Sequence, residues 1–301
     1  MPYCRPLLPL LASLALTGCF SHTRPVPPPA IAPPQKLTIG LALGGGAVKG
    51  FAHIGVIKML EASGIHVDVV SGTSAGSVVG ALYASGMDPF QLQQQAFALD
   101  ETSIRDVRLF SGGLVQGQKL EDYVNATVKH RPIEQLGRPF AAVATQLETG
   151  QRAVFIHGNT GQAVRASSSI PGVFEPVDIG GKHYVDGGVV SPVPVDAARQ
   201  LGAKFVIAVD ISAAPSGSHP LGMVNIVGRS ITIMGHQLGQ QELARADVVI
   251  RPNITGIGPT DFQQKNQAIL EGERATLAAM PAIRAAIAAR QASLDAAVVA
   301  H

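Results

Sequence analysis

The chain has 301 residues, 46% of them hydrophobic and 15% charged, with a formal net charge of +2. That is length for one large domain or two small ones, with enough apolar side chains for a sizeable core. The weak charge, the absence of tryptophan and an aromatic content of 5% exclude a basic field or a base-stacking surface, so no nucleic-acid partner is expected.

The first element in chain order is a targeting segment over residues 1–18. Arg5 is followed by an apolar run from Leu7 to Leu16, shorter than the roughly 20 residues that span a bilayer. It ends in Leu16-Thr17-Gly18-Cys19, which resembles a bacterial lipobox, so Cys19 is expected to be lipidated and to become the N-terminus. Cys4 would leave with the signal, and no intrachain disulfide could form. Each buried CH₂ of the lipid adds about 0.8 kcal/mol to anchoring. Phe20, rather than Asp, follows the cysteine; by resemblance to enterobacterial lipoproteins, this points to the outer membrane, facing the periplasm. Residues 19–35 then read as the lipidated end and a stiff spacer, because six prolines fall between Pro25 and Pro34.

From Lys36 the pattern becomes an alternation of strands and helices. Strands are predicted at 37–43, 67–70, 140–144, 153–156, 205–209 and 248–250, and helices at 51–62 and 74–85, the second stopping near Gly86 and Pro89. The alternation predicts an α/β domain over residues 36–255, with a mainly parallel central sheet. An Ala- and Leu-rich tail over residues 256–301 is expected to be a helical extension packed on it, covering the sheet.

Gly44-Gly45-Gly46-Ala47-Val48-Lys49-Gly50 sits between the first strand and first helix. It is not a P-loop, which must end in Gly-Lys-Ser/Thr; here the order is Lys49-Gly50-Phe51. It is not a dinucleotide fingerprint either, because the third glycine falls on Lys49 or the second on Ala47. Tight glycine turns permit positive φ. N–H groups of Gly44, Gly45 and Gly46, ahead of a helix, could instead hold a developing oxyanion.

Gly72-Thr73-Ser74-Ala75-Gly76 has the nucleophile-elbow spacing, after a predicted strand and opening a predicted helix. Ser74 is the candidate nucleophile, with small Gly72 and Gly76 permitting the sharp turn. Such a serine needs a base. His53, His66, His130, His157, His183, His219 and His236 are available, none in a recognisable triad context, and a Ser-His-Asp triad stays open. Asp186-Gly187-Gly188 offers a carboxylate as base instead, although Asp-Gly is also a common turn.

In combination these segments resemble the patatin-like phospholipases. The resemblance rests on Gly44 to Gly50, Gly72 to Gly76 and Asp186 to Gly188, with support from residues 51–56 and 165–174. It implies a three-layer domain with helices flanking the sheet. It also implies a Ser74–Asp186 dyad without catalytic histidine, and an oxyanion site at the glycine loop. No metal or organic cofactor is implied. The implied activity is hydrolysis of carboxylic esters of phospholipids or lysophospholipids through an acyl-enzyme. Acyl transfer by the same dyad and a non-catalytic lipid-binding envelope lipoprotein are the alternatives. The chain departs from the family pattern at Ala47, often Gly; at Lys49, usually Arg, where it is read as orienting the loop; and at Ser191, often Asn. The stretches around Leu109-Phe110 and Leu114-Val115 are candidate walls of an acyl groove.

Overall fold

The computed structural model describes residues 36–99, 115–212, 223–258 and 260–299. Cys19, the targeting segment and the proline-rich spacer lie outside the described residues, as do Leu109, Phe110 and Leu114.

Eight strands form one sheet: β1 (Ile39–Leu43), β2 (Val69–Thr73), β3 (Phe140–Gln146), β4 (Arg152–Phe155), β5 (Val177–Ile179), β6 (Lys182–Asp186), β7 (Phe205–Val209) and β8 (Val248–Ile250). The hydrogen-bonded pairs are β5-β6, β6-β3, β3-β2, β2-β1, β1-β7 and β7-β8, with β4 also paired to β3. β3, β2, β1, β7 and β8 run parallel, as the alternation predicts. The β4, β5 and β6 end is antiparallel, and β5 and β6, short and partly polar, were not legible as strands.

β1 and β7 are buried over their whole length, so their sequences read as continuous apolar runs. Their side chains alternate between two cores. Leu41, Leu43, Phe205, Ile207 and Val209 face one cluster. Ala42, Val206 and Ala208 face the other. The first is covered by α1 (Ala52–Ala62), α2 (Ala75–Ala84), α3 (Pro89–Ala98), α4 (Gln118–Thr127) and the long α8 (Lys265–Val299), with α5 (Thr160–Ser167) alongside. The second is covered by α6 (Val195–Gln200) and the end of α7 (Met223–Leu243). The result is a three-layer α/β domain.

α2 stops ahead of Gly86 and Pro89 as expected, and Pro89 then opens α3. Proline lacks an N–H that a first helical turn would leave unpaired anyway. Asp88 caps that turn, accepting the Phe90 and Gln91 N–H groups at 2.8 and 2.9 Å, while Gln91 Oε1 accepts the Asp88 N–H. The tail is helical, but its main neighbour is α1. A Cβ on Gly55 would sit 2.0 Å from the Ile269 carbonyl oxygen, and one on Gly272 would sit 2.0 Å from that of Ala52. The two helices touch backbone to backbone, which only glycine allows. No helix among the described residues is long and apolar enough to cross a membrane.

Candidate active site

Ser74 stands between β2 and α2 with φ 53° and ψ −125°. Positive φ costs an L-residue roughly 1–2 kcal/mol, so the surroundings must enforce it. They do so by close packing and hydrogen bonding. A Cβ on Gly72 would lie 2.3 Å from the Gly76 oxygen, and one on Gly76 would lie 2.1 Å from that of Leu43. The Ser74 N–H donates to Ser167 Oγ at 2.9 Å, and the Ser167 hydroxyl donates onward to the Val143 carbonyl at 2.6 Å. The turn leaves Ser74 lining a cavity, with the N-terminus of α2 beneath it.

Asp186 ends β6, and the register of β3 explains how it reaches Ser74. On β3, Val143 pairs with Thr73 of β2, and the next residue, Ala144, pairs with Asp186 of β6. β4 pairs with residues 142–145 of β3 and therefore occupies the other edge. β6 thus continues the edge where β2 leaves off, and the two strand ends abut. The Asp186 N–H donates to the Ser169 carbonyl, and its own carbonyl accepts the Thr145 hydroxyl.

The Asp186 carboxylate is buried. Oδ1 accepts the Gly188 N–H at 2.7 Å, which gives the second glycine after the aspartate a role. Gly187 opens the 3-10 turn that follows. Oδ2 is buried and has no formed hydrogen bond. Ser74 is nevertheless close enough to favour the ionised form, together with Gly188. Burial outweighs both and pushes the carboxyl from its ordinary 3.8 up to about 6.

The glycine loop differs from expectation. The Gly44 N–H is taken by the Val209 carbonyl at 3.1 Å and the Gly45 N–H by the Pro192 carbonyl at 3.0 Å. Neither is free for an oxyanion; both tie the loop down. The Gly46 N–H meets no backbone acceptor among the described residues. Ala47 opens the following 3-10 turn (Ala47–Phe51, which contains Gly50), so its N–H has no helical partner. Available donors are therefore Gly46 and Ala47. Ala47 has φ 51°, a conformation glycine adopts without strain.

Lys49 is 8% exposed, and burial lowers its pKa. It makes no side-chain hydrogen bond to the glycine loop among the described residues; the loop's Gly44 and Gly45 N–H groups run to Val209 and Pro192. His53 is fully buried, its Nε2 is 2.8 Å from the Gly44 carbonyl, and burial lowers its pKa to about 4. It is neutral at pH 7 and donates to that carbonyl, supporting the loop. Among the described residues no histidine hydrogen-bonds to Ser74 or Asp186.

The cavity has a volume of about 350 Å³, within the range of small-molecule sites. Its walls are mostly apolar and include Val48, Phe51, Val79, Val173, Phe174 and Phe262. Val115 is buried and bridges to Phe174, one step behind the wall. Three residues around the site carried no assigned role in the sequence: Ser167, which holds the candidate nucleophile Ser74; Ser168, whose buried hydroxyl is unpaired beside the cavity; and Thr145. The run Ser167-Ser168-Ser169, dense in hydroxyls ahead of Ile170-Pro171, was the available signal.

The family model for patatin-like phospholipases matches residues 41–199, more than half of the chain. The chain belongs to the patatin-like phospholipase family. An uncharacterized NTE family protein of Mycobacterium tuberculosis is 36% identical over 182 residues, 60% of this chain and 50% of that protein. The human patatin-like phospholipase domain-containing protein 6 is 35% identical over 184 residues, 58% of this chain and 13% of that protein. The chain thus spans half or less of these patatin-like relatives. Among solved structures, VipD from Legionella pneumophila superposes with a TM-score of 0.57 at 15% identity, covering 82% of this chain and 67% of that one. It shares the patatin-like fold.

Proposed function

We propose that this patatin-like chain is a serine lipid acyl hydrolase acting through a Ser74–Asp186 dyad on carboxylic esters of phospholipids or lysophospholipids. The observation that carries the proposal is the unpaired, buried Oδ2 of Asp186 beside Ser74 at an apolar cavity. An acceptor left without a donor in a buried site is costly, and the serine hydroxyl is the group that can satisfy it. The names of the family and of the human relative support the same class of reaction.

Asp186 Oδ2 takes the proton of the Ser74 hydroxyl as Oγ attacks the ester carbonyl. The oxyanion rests on the N–H groups of Gly46 and Ala47. Asp186 returns the proton to the leaving alcohol, giving an acyl-enzyme with its chain in the cavity. Water then loses a proton to Asp186 and adds to the acyl carbonyl; as the fatty acid leaves, Asp186 returns that proton to Ser74 Oγ. Fluorophosphonate should label Ser74 in the intact protein, with Ser74→Ala and Asp186→Asn each losing turnover. Full esterase activity in Ser74→Ala would reject the assignment, and substantial activity in Asp186→Asn would return the choice to a histidine triad.

We further propose that Cys19 carries a lipid tethering the enzyme to the cell envelope, at the outer membrane facing the periplasm. The lipobox-like sequence supports it. Metabolic labelling with a fatty-acid probe should mark the wild type and not Cys19→Ser; equal labelling of both would exclude it.

A further inference from the structure

The carboxylate of Glu242 lies on the last turn of α7, outside the segment matched by the family model. It is 4% exposed. Oε1 accepts the Ser191 hydroxyl at 2.5 Å, and Oε2 accepts the Val193 N–H at 2.8 Å. No cation forms an ion pair with it among the described residues; Arg245 and Arg152 act on it only at a distance. Burial raises its pKa, opposed by the hydrogen bonds from Ser191 and Val193; a carboxylate buried without a counter-ion is costly unless its hydrogen bonds are specific. Both oxygens of this one are spent on a single loop.

That loop is a hub for the site. The Pro192 carbonyl accepts the Gly45 N–H, the Ser191 carbonyl accepts the Thr73 hydroxyl at 2.8 Å, and the Pro194 carbonyl accepts the Ser71 hydroxyl at 2.8 Å. The Ser191 N–H returns to the Gly187 carbonyl. Residues 191–194 therefore touch the glycine loop, the strand leading into Ser74 and the turn after Asp186. α7 follows the same segment with one face. Ideal Cβ positions on Gly235 and Gly239 lie 3.5 Å from the Gly188 carbonyl and 3.5 Å from the Pro192 ring. Residues 235, 239 and 242 have the i, i+4, i+7 spacing of a single helix stripe.

We propose that Glu242 is a positioning residue: it fixes the Ser191–Val193 loop, and through that loop it sets the glycine loop and the nucleophile strand relative to Asp186. The proposal rests on the assignment of Ser74 and Asp186 as the reacting pair. A carboxylate suits the task because it accepts from two donors at once. Glutamine of the same shape retains one acceptor for Val193 and offers an N–H to Ser191 Oγ, which can accept it. Leucine fills the volume and makes neither bond. Ser191→Ala removes one bond and leaves the charge on Val193.

The test uses the full chain and compares wild type, Glu242→Gln, Glu242→Leu and Ser191→Ala. For each, kcat and KM on a p-nitrophenyl ester, the rate of fluorophosphonate labelling at Ser74 and the melting temperature are measured. Misplacement of the oxyanion donors should lower kcat and labelling together by about ten- to a hundredfold in Glu242→Leu. Ser191→Ala should fall between Glu242→Leu and wild type, and Glu242→Gln should recover most of the loss. KM should stay within about twofold, because Glu242 does not line the cavity. A purely structural role would lower the melting temperature and leave kcat and labelling per folded molecule unchanged in Glu242→Leu and Ser191→Ala; that result overturns the proposal. If Glu242→Leu does not fold, Ser191→Ala against Glu242→Gln decides. Wild type that is not labelled at Ser74 overturns the dyad and the proposal together. Labelled wild type with unaffected variants overturns the proposal alone.

Discussion

At the residue scale, two buried titratable groups make opposite demands. Asp186 is held near 6 by burial, against 3.8 in the open chain. The base must be ionised to act, so kcat/KM should rise with pH through an apparent value near 6 and level off above it. A flat profile from pH 5 to 8 would remove Asp186 from that role. Its raised pKa also means that the fold binds this proton more tightly than the open chain does. The stability it contributes is complete below about 3.8 and is lost as pH rises through about 6. The loss is about 3 kcal/mol, from a shift of roughly two units at 1.36 kcal/mol each. His53 has the reverse sign. Its pKa falls from 6.5 to about 4, so its contribution is present above 6.5 and is lost as pH falls through about 4. The two nearly cancel in wild type. Asp186→Asn should therefore melt higher than wild type at pH 8 and lose that advantage between pH 6 and 4, as scanning calorimetry would record. A constant difference across pH would contradict it. Ala47 carries a simpler prediction. Ala47→Gly should change stability by no more than about 1 kcal/mol, because relief of αL strain opposes glycine's chain entropy. Ala47→Val should be clearly destabilised in urea, since β-branched side chains tolerate positive φ poorly.

At the scale of elements, the glycines were legible by position but not by reason. The sequence points to small Gly72 and Gly76 permitting the sharp turn. Neither has positive φ; their task is to let α2 approach β1 and β2 closely. Gly76→Ala should therefore cost about 1–3 kcal/mol or more in chemical denaturation, as overpacking against rigid backbone does, and should lower activity through displacement of Ser74. An unchanged denaturation midpoint would mean that the contact relaxes without cost. Strand and helix placement followed from hydrophobic runs where elements were long and buried, as in β1, β7 and α1. It failed for β5 and β6, whose exposed, mixed residues have little apolar signal of their own. It ends α2 correctly near Gly86 and Pro89 but assigns no helix over 89–98, although Asp88 and Gln91 spell a capping box.

At the scale of the whole molecule, the cavity is assembled from distant segments. Phe262, from the turn before α8, lies edge-on to Phe51 at 6.2 Å, and both line the cavity. Lys265 sits over both rings at 5.7 Å and donates to the Leu99 carbonyl. The extension expected to be a cover thus also supplies a cavity wall. Phe262→Ala should shift preference toward longer or bulkier acyl esters, by about tenfold in the ratio of kcat/KM values. An unchanged chain-length profile on a series of p-nitrophenyl esters would show that this wall does not contact the acyl chain.

The sequence by itself singled out Ser74 as the candidate nucleophile, because a strand, a five-residue turn and a helix are local and their small residues leave few alternatives. It determined the layered α/β class as well, because buried strands announce themselves in apolar runs. It could name Asp186 only through resemblance, since Asp-Gly-Gly is locally indistinguishable from a turn. The tertiary structure brought the two together: β2 and β6 share one edge of β3, so residues 112 positions apart meet at Val143 and Ala144. Tertiary contacts also decided which amides of the glycine loop stay unpaired. Val209 and Pro192, both remote in sequence, claim the N–H groups of Gly44 and Gly45, and a donor's availability depends on the acceptors that folding places beside it.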